Sequence, residues 1–498
     1  MSIYFTLNII SHFIMMFLLT YYLATLLQWY NYSFARILTK HHKKLWHFYY
    51  FILPIIVFLV TDSLRLYIVF YICLIIWIIA FGIWVYKLDK KLVFTKRIIR
   101  LFVIVLLFTI LNEAINIIDH LDKDKAYISA ILYLAPLVFG FIVAFIYESL
   151  IFRNYAKLAK AKLAKMQNLT IVAITGSYGK TSTKNFLEYI LKERYDVYAT
   201  PRSVNTYKGL VNDINSNLDL DTEVYIAEAG ARAKNDIRQI ANLLNPQYAI
   251  IGKVGLAHIE YFKSLENTLS AKFELLDSKN LKKAFVQKDN NIPEIKEAYK
   301  ENIKLITPYP PECKNITTSL DFTSFELKIN GIYEEFQTKV LGSFNVDNIA
   351  ACILVALELK VPLDSIKRAV SKLESIPHRL NKIVTNNKLI LDDSFNGNLE
   401  GVSEAIRLSS LYNGRKVIVT PGLVESNIES NTTIAKLIDE VFDLAIITGE
   451  LNSKVLNDNI KHTQKVILKD KSNLESILKS FGAEGDLVLF ANDAPSYI

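Results

Sequence analysis

The stretch Ile171-Val-Ala-Ile-Thr-Gly-Ser-Tyr-Gly-Lys-Thr-Ser-Thr183 joins a β-branched apolar run to a glycine turn and then to a segment with helical spacing. Ile171 to Thr175 reads as a strand, and Ser182 to Leu191 continues as a helix. A strand that enters a helix N-terminus through glycines aims backbone N–H groups and the positive helix end at one point, which suits a phosphate. Gly176, Ser177, Gly179 and Ser182 would line that cradle. Lys180 would reach the β- and γ-phosphates, and the Thr181 hydroxyl would bind Mg²⁺. The usual phosphate loop has four residues between its glycines, whereas this one has only Ser177 and Tyr178. On these residues alone, a glycine turn followed by a surface lysine remains an alternative.

Downstream of the loop, apolar β-rich runs alternate with helical patterns. Ile171–Thr175, Val197–Thr200, Val224–Glu228 and Tyr248–Gly252 read as strands, and Asn345–Leu359 and Leu363–Leu373 as helices. The rhythm restarts after Ser375-Ile-Pro377, with strands expected at Lys388–Leu391, Lys416–Thr420, Leu444–Thr448, Val466–Leu468 and Asp486–Phe490. Strand–helix alternation of this kind builds parallel sheets with crossover helices. Two α/β domains are therefore expected, a P-loop-type ATP-binding domain over 170–375 and a Rossmann-like domain over 376–498.

Upstream the composition changes. The chain is 51% hydrophobic, and all four tryptophans precede Leu88. Apolar runs near Tyr4–Tyr30, Trp46–Thr61, Leu66–Tyr86, Leu101–Ile118 and Ala126–Leu150 are each expected to cover a hydrocarbon core of roughly 30 Å. This gives a transmembrane region of about five helices over 1–150, with the second, interrupted by Pro54, the least defined. A basic linker helix over 151–169 would follow. No basic leader precedes the first run and no small-residue cleavage pattern follows it, so it reads as an anchor.

The connecting loops alternate in charge. Arg36, Lys40, Lys43 and Lys44 fall in the first, and Lys87, Lys90, Lys91, Lys96, Arg97 and Arg100 against Asp89 in the third. Arg153, Lys157, Lys160, Lys162 and Lys165 follow the last run, while the second and fourth loops are nearly balanced. By the positive-inside rule this places the N-terminus outside and the α/β part in the cytoplasm, on a multi-pass protein of the inner (cytoplasmic) membrane. Much of the basic excess behind the net charge of +8 is thus topogenic, and nucleic acid is not an expected partner. Asn8, His12, Asn112 and Glu113 are polar groups inside these runs. No charge pairing is evident among them, so anchoring is expected rather than transport. Cys73, Cys313 and Cys352 share no metal or redox spacing, which fits a reducing compartment.

Polar residues close several of the expected strands, where open α/β sheets bind ligands. Glu228 ends Val224–Glu228, His258 lies just past the strand ending at Gly252, and Lys272 falls on an expected helix. Taken singly, they read equally as a helix cap, a satisfied loop histidine and a solvated charge. Their order after Gly-Lys-Thr narrows the choice.

At this point the chain resembles the Mur ligases, ATP-dependent amide ligases of peptidoglycan synthesis. The resemblance runs from about Thr170 to the C-terminus. It rests on Thr175–Thr181, Ser203-Val-Asn205-Thr206, Glu228-Ala-Gly-Ala-Arg232, Gly255-Leu-Ala-His258-Ile-Glu260, Ala271-Lys272-Phe-Glu274, Gly342-Ser-Phe-Asn345-Val-Asp-Asn348 and Leu391-Asp-Asp-Ser-Phe-Asn396-Gly-Asn398. It implies that Lys180 holds the transferring phosphate, and that Thr181 and Glu228 hold one of two Mg²⁺ ions. His258 would help to hold the second, together with Lys272 once carbamylated, because a lysine ammonium repels Mg²⁺ and a carbamate binds it. The resemblance further implies that Asn345 contacts adenine, and that Arg379 and Asp393 contact the nucleotide from the hinge and the C-terminal domain. Asn205, Thr206, Ser394, Asn396 and Asn398 would lie near the substrates.

The implied reaction is formation of an acyl phosphate from ATP and attack on it by an amine. The acid would be a UDP-linked muramoyl tripeptide and the amine D-Ala-D-Ala, with other cell-wall enzymes as further partners. The membrane region stands where the family carries its UDP-binding domain. Phe344 stands where histidine is common. Val419-Thr-Pro-Gly-Leu-Val-Glu425 and Phe490-Ala-Asn-Asp-Ala-Pro-Ser-Tyr497 depart from the family pattern on the amine side. Two alternatives follow from these departures. One is a ligase of the same type acting on a lipid-linked precursor, and the other a membrane scaffold with a degenerate nucleotide site.

Overall fold

The computed structural model describes residues 3–64, 66–121, 132–255, 262–290, 302–385, 388–395, 397–424, 426–468, 473–481 and 485–493. The chain divides into two compact units, Met1–Asn154 and Tyr155–Ile498.

Among the described residues, four helices are long and apolar enough to cross a membrane: Thr6–Trp29, Tyr67–Tyr86, Lys96–Ile118 and Ala135–Lys165. Tyr67–Tyr86 shows how they pack. Phe70, Leu74, Trp77, Phe81 and Trp84 recur every three or four residues and are buried, whereas Ile72, Ile75, Ile76 and Ile79 on the other faces are 54–61% exposed. The helix is therefore apolar all round, with its isoleucines on the faces away from this packing.

The second expected run differs. Its residues form the shorter apolar helix Leu45–Thr61, with a π-helical turn over Phe48–Ile52 just before Pro54. Proline supplies no backbone N–H, so the ladder cannot continue in normal register there.

A second difference concerns the polar groups. His12 and Glu113 are paired through His12 Nδ1, and His12 Nε2 lies 2.8 Å from the Tyr133 carbonyl. Tyr71 donates to Asn8 at 2.7 Å. The expectation of no pairing was wrong, because these residues are distant in sequence and meet only when the helices pack.

In the second unit, β1 (Thr170–Thr175), β2 (Val197–Ala199), β3 (Val224–Glu228), β4 (Tyr248–Ile251), β5 (Lys283–Gln287) and β6 (Ile306–Tyr309) form a parallel sheet in the order β2-β3-β1-β4-β5-β6. β1 is central and buried on both faces, which explains its unbroken apolar sequence. The helices Lys180–Leu191 and Phe344–Glu358 pack against each other over it. A three-stranded antiparallel sheet, β7 (Cys313–Thr318), β8 (Thr323–Ile329) and β9 (Ile332–Thr338), adds Phe325, Leu327 and Phe336 to the same core.

After helix Leu363–Lys372 the second sheet begins. β10 (Asn381–Val384), β11 (Lys388–Asp393), β12 (Lys416–Thr420), β13 (Leu444–Thr448), β14 (Gln464–Leu468) and β15 (Asp486–Ala491) take the order β10-β11-β15-β12-β13-β14. Only β10 is antiparallel. Strand ends of both sheets therefore present loops at their C-terminal edges, and these loops carry the polar residues considered next.

Candidate active site

The loop between β1 and helix Lys180–Leu191 is shaped by its glycines. Gly179 has φ +74°, and a Cβ there would meet the Asn348 side chain at 2.5 Å, so only glycine fits. The ammonium of Lys180, the first helical residue, donates to the carbonyls of Gly176 at 2.9 Å and Ser177 at 3.2 Å. The loop is anchored on the other side by Ser177 N–H, which donates to the Lys253 carbonyl at 2.9 Å. Ser182 is buried in the helix.

Glu228, the last residue of β3, neighbours β1 in the parallel ladder, so its carboxylate reaches the start of the helix. Thr181 Oγ1 donates to Glu228 Oε2 at 2.9 Å, and Asn205 Nδ2 donates to Glu228 Oε1 at 3.0 Å. The Glu228 backbone N–H is in turn held by Thr200 Oγ1 at 3.1 Å. Hydroxyl and carboxylate oxygens at this spacing are a donor set for a hard cation, which commonly takes one or two protein oxygens and completes its shell with phosphates and water. Among the described residues, no three histidine, cysteine or acidic side chains gather as a metal site.

Lys272, on the helix Leu265–Phe273, is 3% exposed. Burial, and then the nearby Lys180 ammonium, pull its pKa down to about 7. Burial likewise lowers that of Lys180, against the opposing pull of Glu228. Lys180 and Lys272 thus each feel the charge of the other or of Glu228. His258 and Asn396 lie outside the described residues.

Asn345 is buried at the start of helix Phe344–Glu358, where Nδ2 donates to the Leu341 carbonyl at 2.8 Å. It accepts from Asn348 at 3.2 Å, and Asn348 in turn accepts from Thr183 at 3.2 Å, linking this helix to the phosphate-loop helix. In the hinge, Arg379 feels Glu228 and Asp393. Asp393 is buried, which pushes its pKa up to about 6 even though the Leu380 N–H bonds it. Ser394 donates to Asp392 at 2.6 Å. Thr206 and Asn398 cap the helices Tyr207–Ser216 and Leu399–Ser410.

Several neighbours were not anticipated from the sequence. A cleft of about 240 Å³ beside the Thr181 turn is lined by Lys184, Thr200, Arg202 and Arg379 among others. Lys184 donates to the Thr200 carbonyl. One turn beyond Lys180, it reads in sequence as an ordinary solvated helix charge. Arg202 and Arg379 both stack on Phe395, with guanidinium carbons 5.0 and 5.3 Å from the ring centre.

A parallel nucleotide-type sheet with a phosphate loop, a strand-end carboxylate and a second α/β domain behind a hinge defines an ATP-dependent ligase architecture. Residues 174–356 match the family model of the Mur ligase middle domain. The chain is 26% identical over 347 residues to UDP-N-acetylmuramoyl-tripeptide--D-alanyl-D-alanine ligase of Bacillus subtilis, covering 67% of this chain and 75% of that one. The Escherichia coli enzyme of that name is 25% identical over 52% of this chain and 59% of its own length. Among solved structures, MurF of Thermotoga maritima in complex with ADP superposes with a TM-score of 0.59 at 24% identity, covering 68% of this chain and 80% of that one. MurF of Acinetobacter baumannii gives 0.60 at 22%, covering 68% and 77%. The chain thus carries a Mur ligase middle domain, and its α/β part is similar to MurF enzymes.

Proposed function

We propose that this protein joins D-Ala-D-Ala to a UDP-N-acetylmuramoyl tripeptide, the ligation that the relatives' names state for them, and that it does so by consuming ATP and forming ADP. The observation that supports this reading is the hydrogen bond of Thr181 to Glu228 beside the glycine loop, with Lys180 and Lys272 close enough to feel the Glu228 carboxylate. Acid and amine do not condense in water at useful rates, so the carboxylate is first phosphorylated. Its oxygen attacks the γ-phosphorus, and ADP leaves. Lys180 offsets negative charge that grows on the phosphate oxygens, more strongly in a pocket from which water is excluded. Arg379 adds positive charge from the hinge. The amine then attacks the acyl phosphate, the amide C–N bond forms and phosphate departs. Bringing the second α/β domain over the first aligns amine and acyl phosphate.

Thr181 and Glu228 would hold one Mg²⁺, which supplies positive charge to the phosphates when bound. Two ions are expected in all, the second on His258 and on Lys272 as a carbamate. With its pKa near 7, Lys272 is substantially neutral at cytoplasmic pH, the state in which an amine adds carbon dioxide. Asn345 would contact the adenine, and Asp393 the nucleotide. Asn205, Thr206, Ser394, Asn396 and Asn398 would contact the acid and the amine.

The apolar helices would place the enzyme in the cytoplasmic membrane with the α/β unit inside the cell. With the N-terminus outside, as the basic loops indicate, an odd number of crossings is required, so Leu45–Thr61 would be the fifth. Its 17 residues reach about 25 Å at about 1.5 Å each, and a locally thinned bilayer accommodates that length.

The test uses the full chain in washed membranes, supplied with ATP, UDP-muramoyl tripeptide and D-Ala-D-Ala. Ligated product and stoichiometric phosphate are expected in the membrane fraction after a high-salt wash. Activity released by salt would contradict the membrane reading. Turnover only on a lipid-linked tripeptide would replace the acid substrate, and no turnover on either would contradict the ligase reading.

A further inference from the structure

The hinge holds an imidazole that the reaction described above does not use. His378 has φ +67°, a left-handed conformation uncommon for a residue with a Cβ, and its carbonyl accepts from the Phe395 N–H at 3.2 Å. Its Nδ1 lies 2.9 Å from Asp392 Oδ2. The other oxygen of that carboxylate, Oδ1, accepts from Ser394 Oγ at 2.6 Å. Ser394 Oγ also lies 3.3 Å from His378 Nδ1. Asp392 is 1% exposed and sits near the end of β11, so it is a rigid, oriented acceptor.

A carboxylate on Nδ1 fixes the imidazole tautomer, with the proton on Nδ1 and the basic lone pair on Nε2. No hydrogen bond to Nε2 occurs among the described residues, and the side chain is 27% exposed. The neighbouring residue is Arg379, whose charge Glu228 feels. The imidazole therefore lies beside Asp392 and Ser394, next in the chain to an arginine that feels Glu228. The carboxylate on the imidazole is Asp392, and the neighbouring Arg379 feels Glu228, Asp393 and Arg202.

The second half of the reaction needs a proton acceptor. An α-ammonium with a pKa near 8 has no lone pair to attack with, and the tetrahedral adduct must also shed a proton. We propose that His378 Nε2 is the general base of the amide-forming step, with Asp392 as its positioning residue. This rests on the acyl-phosphate reading above. The amine N–H proton passes to Nε2 and the nitrogen lone pair forms the C–N bond. The C–O bond to phosphate breaks with its electron pair on the departing phosphate. The imidazolium then returns its proton to solvent.

The test compares full-length wild type with His378→Gln and Asp392→Asn in two assays. The first traps the acyl phosphate by borohydride reduction with ATP and the acid substrate alone. The second measures ligation to D-Ala-D-Ala and, separately, to hydroxylamine, which is unprotonated at neutral pH. Both variants are expected to form acyl phosphate at the wild-type level. Ligation to D-Ala-D-Ala should fall about 10²- to 10⁴-fold in His378→Gln, while ligation to hydroxylamine stays within a few-fold of wild type. Undiminished ligation to D-Ala-D-Ala would overturn the proposal. So would equal loss with both nucleophiles or loss of the acyl phosphate, since the imidazole would then only shape the hinge. A wild-type enzyme that yields no acyl phosphate would overturn the ligase reading itself, a result separate from any defect confined to the variants.

Discussion

Replacement of Lys180 by alanine is expected to lower ATP-dependent phosphate release about 10³-fold, the scale seen when a preorganised charge is removed from a developing anion. The lysine lies at the helix start, anchored through the loop carbonyls of Gly176 and Ser177, so a short side-chain rotation takes it from carbonyl to phosphate. Burial weakens its hold on its proton, whereas Glu228 strengthens it. Losing the ammonium leaves Glu228 facing the phosphates with one less counter-charge. Binding of ATP should weaken less than turnover falls, because the transferring oxygens gain charge only in the transition state. Steady-state phosphate release and equilibrium nucleotide binding, measured on the same preparation, separate the two. A variant within a few-fold of wild type would remove Lys180 from catalysis.

Lys272→Met is expected to cost about 10²- to 10³-fold in turnover without costing stability. The sign follows from the lowered pKa. A lysine at about 7 when folded and near 10.4 when unfolded binds its proton more weakly in the native state. Its destabilising effect is absent above about pH 10.4, grows as pH falls and is complete below about pH 7. Removing the amine therefore relieves a penalty at neutral pH, and denaturant midpoints should hold or rise. Activity loss in a protein that is no less stable then reports chemistry.

If the functional group is the carbamate, wild-type activity should decline as pH falls below about 7, where the amine protonates. It should depend on bicarbonate in depleted buffer, and a small added carboxylate should partly restore the variant. Full activity of Lys272→Met, or indifference of the wild type to bicarbonate, would exclude the carbamate.

Legibility followed burial. β1, β3, β12 and β13 were readable because a parallel strand covered on both faces is apolar without interruption. β7 and β9 were not, since Lys314, Glu334 and Glu335 sit on strands with an exposed face, and their charges read as loop. β10 is an exposed edge strand and gave no signal either. Within the site, the phosphate loop announced itself because its residues are contiguous. Glu228 and Lys272 were singled out through strand-end position and family order. Lys184 with Thr200, and His378 with Asp392, depend on contacts that the fold creates between separate elements. The same holds for His12 and Glu113, far apart in sequence and adjacent only across packed helices.

The central claim is that this pocket activates a carboxylate by phosphorylation. It is tested most directly by carrying an oxygen label in the terminal carboxylate of the tripeptide and following it through turnover with D-Ala-D-Ala. One labelled oxygen is expected in the inorganic phosphate released for each amide formed, because the bond broken in the second step joins that oxygen to the acyl carbon. Unlabelled phosphate, with both labelled oxygens absent from it and the amide still formed, would contradict activation through an acyl phosphate.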